Sequence, residues 1–536
     1  MDKNQTNLSR KNEKPRELRQ ETLFVVLAAL VFLFVVIRTA WISDDAYITF
    51  RVVENFLHGF GPVYNLGERV QAYTHPLWFF VISGVYAVVN GVFGRFFLAA
   101  RLPWTVIFVS IACSVGAAWL FARHIARDWK AAVAGLALLT FSRAFTDYST
   151  SGLEEALTYL ILVWFFIRYF QMEESGQLYS HRAIGELTLI ASLGVLNRLD
   201  IVLLYAPILA WMLWKSRSWK SVGFAALGIL PVIVWELFSL FYYGFPFPNT
   251  YYAKIHTGIA QGVLFWQGLV YYLGSFNFDP LTLLVIVFSF TAVICLRRWK
   301  YLPMLAGILL YLLYILRIGG DFMSGRFFAA PFLMAVIILI RLDLDAKILT
   351  GLAAGLCAVG LAFGVNPLAS DASYRAAQLP ASGVVDERGS YYPDRGLLNY
   401  TTAKPFPDFP WNERGWQRYN NNYKVEVLDA IGMLGYQGGP YVHVVDKLAL
   451  PDALLARLPI AGEKTWQIGH FRRKIPEGYL ETLQEGENRI ADPNLKAYYE
   501  KLSIAIKSDL FTPGRLEEIW KLNTGYYDGW LKAYPN

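Results

Sequence analysis

Apolar residues run almost unbroken from 22 to 42. They recur near 102–122, 131–145, 156–170, 183–197, 201–214, 221–243, 280–296, 301–317, 327–341 and 347–363. A helix of about 20 such residues crosses a hydrocarbon core of about 30 Å. The first run is too long for a signal-peptide core and no small-residue cleavage pattern follows it, so it reads as a retained anchor. The stretch 76–93 is also apolar, and counting it as a span would reverse every later loop. If it does not cross, the basic loops Arg123–Lys130, Lys215–Lys220 and Arg297–Lys300 all face the cytoplasm, as basic loops prefer. The pattern therefore predicts about eleven spans, with 76–93 juxtamembrane or re-entrant.

Polar punctuation changes at about residue 364. Pro, Gly, Asp and Tyr become frequent and no later run is long enough to span. Tyr441–Val445 reads as a buried strand between turns and 490–522 as helical, so 364–536 is expected to be a soluble α+β domain outside the membrane. Residues 1–21 form a cytoplasmic arm and 22–363 the membrane domain, with a first outer loop over 43–100. Within that loop Ala46, Phe50, Val53 and Leu57 share one helical face and Arg51, Glu54, Asn55 and His58 the other. This predicts an amphipathic helix lying in the interface and ended by Gly59 and Gly61.

Composition agrees with this map. The 536 residues are 55% hydrophobic and only 17% charged, against about 25% charged in ordinary soluble proteins. A disordered chain, a coiled coil and a disulfide-rich secreted module are excluded. The net charge of +7 could suggest nucleic acid, but Lys3, Arg10, Lys11, Lys14, Arg16 and Arg19 all precede the first span and serve orientation. The remaining charge forms no basic, aromatic-interleaved patch. Cys113, Cys295 and Cys357 all fall in predicted spans, so the outer domain has no disulfide framework.

The polar residues at span ends gather on the outer side, where ionisable groups are costly unless they line a wet cavity. Asp44 and Asp45 are the sharpest of them. A carboxylate there suits a general base that deprotonates an acceptor hydroxyl; the competing reading is a pair of helix-capping groups. Adjacent carboxylates diverge, which excludes the facing pair of a retaining glycosidase. Arg198, Lys254, His256 and Arg326 are candidates to hold a lipid-linked phosphate, against the plainer reading of snorkelling or ion-paired side chains. His75, Glu154, Asp200, Asn249, Tyr251 and Asp321 complete the substrate-binding candidates. Glu154 and Glu155 could equally cap the following span, and His75 could be a hydrogen-bonded wedge. Asp44, Asp45 and Glu154 offer hard oxygen ligands for a divalent cation, although no spacing is diagnostic, and no other cofactor is called for.

Several strings carry a family resemblance. Asp44-Asp-Ala-Tyr-Ile-Thr-Phe-Arg51, Gly67–Trp78 with Thr74-His75-Pro76, Thr150–Glu154, Asn197–Asp200, Pro248–Lys254 and Gly319–Met323 resemble the arabinofuranosyltransferases that place terminal residues on mycobacterial cell-wall arabinan. So do Asp429–Gly435, His443–Asp446 and Asp452–Pro459, of which His443 and Asp446 read as structural. The resemblance covers about 41 to 475. It implies a C-type (GT-C) glycosyltransferase fold in the cytoplasmic membrane, a polyprenyl-phosphate sugar donor, a glycan acceptor outside the cytoplasm, and a first-loop aspartate as base. For the family the donor is decaprenyl-phosphoryl-arabinofuranose and the acceptor arabinan; another sugar such as mannose, or a lipid or protein acceptor, stays open. A lipid transporter or flippase is the alternative class. It calls for mid-span ionisable residues and repeat symmetry, neither of which is evident.

Overall fold

The computed structural model describes residues 4–93, 102–255, 257–362, 365–373, 382–399, 409–419, 422–462, 466–532 and 534, with side chains from 20 onward. The chain is mostly helical. Its small sheet pairs β1 (Lys424–Leu428) in parallel with β2 (Val442–Asp446), Val425 opposite His443 and Val427 opposite Val445. Among the described residues, Gln20–Thr39, Leu102–Ile125, Leu199–Ser216 and Trp299–Ile318 are long and apolar enough to cross a membrane. Two bent pairs, Trp219–Gly228 with Leu230–Tyr243 and Gln261–Phe278 with Pro280–Cys295, raise the number to six if each is one span. The other expected stretches are helical too; Glu155–Glu174 runs for 20 residues, while Trp129–Phe141 and Ala346–Ala362 are shorter. Pro76–Phe93 is a helix as well.

The side-chain pattern fits a bundle in lipid. Phe24, Leu27, Phe34, Trp219, Leu227 and Leu237 face outward on the spans, an apolar surface that water would penalise and lipid does not. By contrast, every residue from Ala329 to Ile340 is buried, so this helix, apolar all round, forms the centre of the bundle. The chain is a membrane protein. The sharpest break, 108° between Gln261–Phe278 and Pro280–Cys295, is set by Asp279. Its carboxylate accepts from the Thr282 and Ala144 N–H groups at 3.3 and 3.1 Å, while Pro280 needs no donor partner.

The Asp44–Leu57 helix corrects one expectation. It was read as lying in the interface with its polar face in water. Arg51 and Asn55 on that face are instead buried, and Leu57 on the apolar face is half-exposed. Arg51 donates to the carbonyls of Tyr64 (2.9 Å), Val442 (2.6 Å) and Gly435. At Arg51 this face serves backbone rather than water, because Gly435 and Val442 present carbonyls that only a multidentate donor can serve, while Asn55 donates to the Val63 and Tyr64 carbonyls at 2.9 and 3.1 Å. Asn65 does the same for β2, donating to the Val444 carbonyl and accepting from its N–H at 2.9 Å each.

The stretch after 364 thus packs against the bundle and the segments that connect its helices. Ile431, Met433, Val442 and Val444 belong to the same core as the bundle. A second core of Val445, Leu455, Tyr479 and Leu502 takes in Val70, Phe245 and Ala253.

Candidate active site

Ser43 caps the Asp44–Leu57 helix, its hydroxyl accepting from the Asp45 N–H at 3.2 Å. The two aspartates therefore occupy the first turn, about 100° apart around the axis, and must point to different neighbours. Asp44 is buried against the C-terminal stretch: its Oδ1 accepts from the Met433 N–H at 2.9 Å. Gly432 permits this approach, since a Cβ there would lie 2.0 Å from the Asp44 carbonyl oxygen. Asp45 is half-buried, and among the described residues no group hydrogen-bonds its carboxylate. Burial pushes the Asp45 pKa up, and the charges of Arg326, Lys254 and His470 pull it back.

Behind Asp45 lies a dense ion-pair cluster. Arg198 grips Asp200 through Nε (2.8 Å) and Nη2 (3.0 Å) and Glu155 through Nη1 (2.8 Å), so all three of its nitrogens are engaged. Tyr311 donates to the same Asp200 carboxylate at 2.8 Å. Arg326 bonds Glu155 through Nε and Glu154 through Nη2 (2.9 Å), while its Nη1 is 3.8 Å from Asp321. His75 bridges Glu154 (3.2 Å) and the Thr49 hydroxyl (2.8 Å). Burial opposes ionisation of Glu154, but Arg326, His75 and Arg198 outweigh it and hold its carboxyl below the usual carboxylate range. Tight turns supply this placement. Gly319 and Gly320 both take positive φ, and a Cβ on Gly320 would lie 2.5 Å from Tyr271, so only glycine lets the chain pass this close just before Asp321.

The structure thus gathers Asp45, Arg326, Lys254 and Asp321, with His75, Glu154, Asp200 and Arg198 interlocked behind them. Lys254 is exposed and, among the described residues, holds no ion pair or hydrogen bond. Asn249 stands apart: its amide donates to the carbonyls of Ala449, Leu450 and Asp452 at 2.9–3.0 Å. Tyr251 is exposed beside Phe247, their rings 4.7 Å apart. His256 lies outside the described residues. His443 and Asp446 carry structural contacts; Asp446 accepts from the Leu448 and Leu450 N–H groups at 2.9 Å each. Among the described residues, no group of three or more His, Cys, Asp or Glu side chains is placed to hold a metal ion.

Sequence reasoning missed three residues from the stretch after 364. His470 packs edge-on against Phe322, 4.5 Å between ring centres, and its charge acts on Asp45. Glu387 is buried, one oxygen accepting weakly from the Ser43 hydroxyl at 3.4 Å and the other without a partner. Burial pushes its pKa well above the usual range, and the charge of Asp45 adds to the effect. Arg395 is fully buried and, among the described residues, has no hydrogen-bond partner. None carries a local motif; only proximity to Asp44 and Asp45 marks them.

An acid pair at the rim of an apolar helical bundle, backed by buried guanidinium–carboxylate pairs, belongs to a membrane-embedded group-transfer enzyme. Comparison with known proteins makes the class specific. No protein-family profile matches the chain. It is 30% identical to the terminal beta-(1->2)-arabinofuranosyltransferase of Mycobacterium tuberculosis, over 85% of this chain and 84% of the relative. It is 29% identical to a protein of the same name from Corynebacterium glutamicum, over 58% of this chain and 49% of that one. The protein is a membrane glycosyltransferase. It belongs to the terminal beta-(1->2)-arabinofuranosyltransferase family.

Proposed function

We propose that the protein transfers D-arabinofuranose from a polyprenyl-phosphate donor to an arabinan-like glycan outside the cytoplasm, with Asp45 as general base. The observation that carries this reading is the asymmetry of the acid pair. Asp44 is bound to the Met433 backbone, whereas the Asp45 carboxylate is uncommitted and faces Lys254, Arg326 and His470. Asp45 takes the proton of the acceptor hydroxyl as its oxygen bonds to the anomeric carbon. The bond from that carbon to the phosphate oxygen breaks, and its electron pair leaves on the polyprenyl phosphate. Lys254 and the outer N–H groups of Arg326 stabilise the charge that develops there. Arg198 serves differently, holding Glu155 and Asp200 in register beneath Arg326.

The same reading places about eleven spans in the cytoplasmic membrane with the GT-C arrangement. Residues 1–21 then lie in the cytoplasm, 22–363 form the membrane domain, and 364–536 cover the site from outside. The test is transfer from synthetic polyprenyl-phosphoryl-arabinofuranose to an arabinoside acceptor by the purified full-length protein. Turnover must occur with the wild type and collapse in Asp45→Asn; full turnover in a folded Asp45→Asn removes the base assignment.

A further inference from the structure

At the start of the Asp44–Leu57 helix, where Glu387 meets Ser43, sits a group of buried polar atoms without hydrogen-bond partners among the described residues. Arg395 is 0% exposed, yet Nε, Nη1 and Nη2 all lack a hydrogen-bond partner. Its guanidinium is stacked 3.8 Å from the ring of Tyr391 and 3.9 Å from that of Phe409, with Trp411 at 5.7 Å. These rings meet one another edge-on, at 80° for Tyr391 with Phe409 and 84° for Phe409 with Trp411. Aromatic faces attract a cation but accept none of its in-plane N–H groups. The clamp therefore fixes the plane of the guanidinium and leaves its edge open.

That edge has complementary neighbours. Tyr47, fully buried, has an unpartnered hydroxyl, and Glu387 has an unpartnered carboxyl oxygen. The charge of Arg395 acts on both, and on Asp44, while Glu387 in turn feels Asp45. No ion pair closes between Arg395 and any described carboxylate. The fold brings them together through the end of the first span: the Leu397 N–H donates to the Ala40 carbonyl at 2.8 Å and Trp41 bridges to Gly396. Buried donors and acceptors left open at one spot are costly, and native proteins keep them where a ligand completes the bonding.

We propose that Arg395, Glu387 and Tyr47 form a subsite for the hydroxyl groups of the acceptor sugar, adjoining Asp45. A guanidinium donates to hydroxyl oxygens, a carboxyl oxygen accepts hydrogen bonds from their O–H groups, and a phenol does either, so a neutral polyol satisfies all three. The anionic phosphate of the donor is matched instead by Lys254 and Arg326, the cations whose charges act on Asp45. This deepens the proposed transfer reaction and rests on it for the identity of the sugar.

The test measures binding, not turnover. Full-length protein is titrated with an octyl arabinofuranoside and, separately, with a polyprenyl monophosphate, for wild type, Arg395→Met, Arg395→Lys and Glu387→Gln, alongside melting temperatures. The expected result is a loss of at least about tenfold in glycoside affinity for both Arg395 variants and a smaller loss for Glu387→Gln. Phosphate-lipid affinity stays within about twofold, and Arg395→Met melts no lower than wild type, since an unpaired buried charge is removed. Unchanged glycoside affinity in a folded variant overturns the proposal, as does loss of phosphate-lipid affinity instead. Lower melting of both Arg395 variants without any separate change in glycoside affinity also overturns it, assigning Arg395 to folding. If the wild type binds the glycoside through Arg395 but transfers no arabinose, the subsite stands and the reaction falls.

Discussion

Asp44 and Met433 lie 389 positions apart, yet the Asp44 carboxylate accepts the Met433 N–H at 2.9 Å. That bond divides the roles of two adjacent aspartates. It commits one to closing the C-terminal stretch over the first loop and leaves its neighbour open.

The first prediction separates these roles. Asp45→Asn is expected to lower kcat by about 10²–10⁴-fold with folding intact, the range of a lost general base. Asp44→Ala leaves the Met433 N–H unpaired and should cost about 1–3 kcal/mol of stability. Steady-state rates and denaturant unfolding of the two variants check the pair of outcomes.

The basic candidates should divide as well. Arg198→Met strips Asp200 and Glu155 of their buried partner and is expected to destabilise by about 3–5 kcal/mol. Arg198→Lys should rescue little, because an ammonium cannot reproduce the two-pronged grip on Asp200. Lys254→Met, at an exposed position, should leave the melting temperature unchanged and raise the donor KM by about tenfold.

Activity should show an acid limb set by Asp45. Burial, only partly offset by Arg326, Lys254 and His470, raises its pKa above the ordinary aspartate value, and a base works only when deprotonated. The rate should therefore rise with pH through a midpoint above the usual carboxylate range. Arg326→Gln removes the largest opposing charge and should move that midpoint higher; a midpoint that moves lower would contradict the arrangement.

Stability has its own pH signature at Asp452, whose pKa burial raises to about 7. The folded state holds this proton more tightly than the unfolded chain, where aspartate titrates near 3.9. The stabilisation is complete below that value and is lost as pH rises through about 7. Asp452 accepts from the Leu455 N–H at 2.8 Å and from the Tyr479 hydroxyl at 3.0 Å, contacts an amide can keep once the hydroxyl turns. Asp452→Asn should flatten the decline between pH 4 and 7, as read by melting temperature.

Topology offers a check independent of chemistry. A compartment-sensitive reporter fused after residue 364 should be active only outside the cytoplasm, and one within 215–220 only inside. Activity of the first in the cytoplasm would make Pro76–Phe93 a true span.

Legibility in the sequence follows the range of the interactions. Hydrophobic patterning is a local property, and the apolar runs it marked between 22 and 363 are helical, as the stretch Tyr441–Val445 is largely strand, but it passed over the Gln261–Phe278 helix. The outer-face strings likewise drew attention to Asp45, Glu154, Arg326 and Asp321, which do converge. Local pattern failed wherever the partner was distant. Arg51 looks solvent-facing until the carbonyls of Gly435 and Val442 are brought over it, and nothing local announces that the Asn249 amide donates to three carbonyls near residue 450.

The sequence by itself determined a membrane protein with an acid pair directly after its first apolar helix, because lipid thickness and helix geometry act on consecutive residues. Only the tertiary structure decided which aspartate is open, that Arg198 is fully engaged, and that Glu387, Arg395 and His470 join the site. Those facts depend on hydrogen bonds and charges between segments hundreds of residues apart, whose burial sets both their strength and their pKa values.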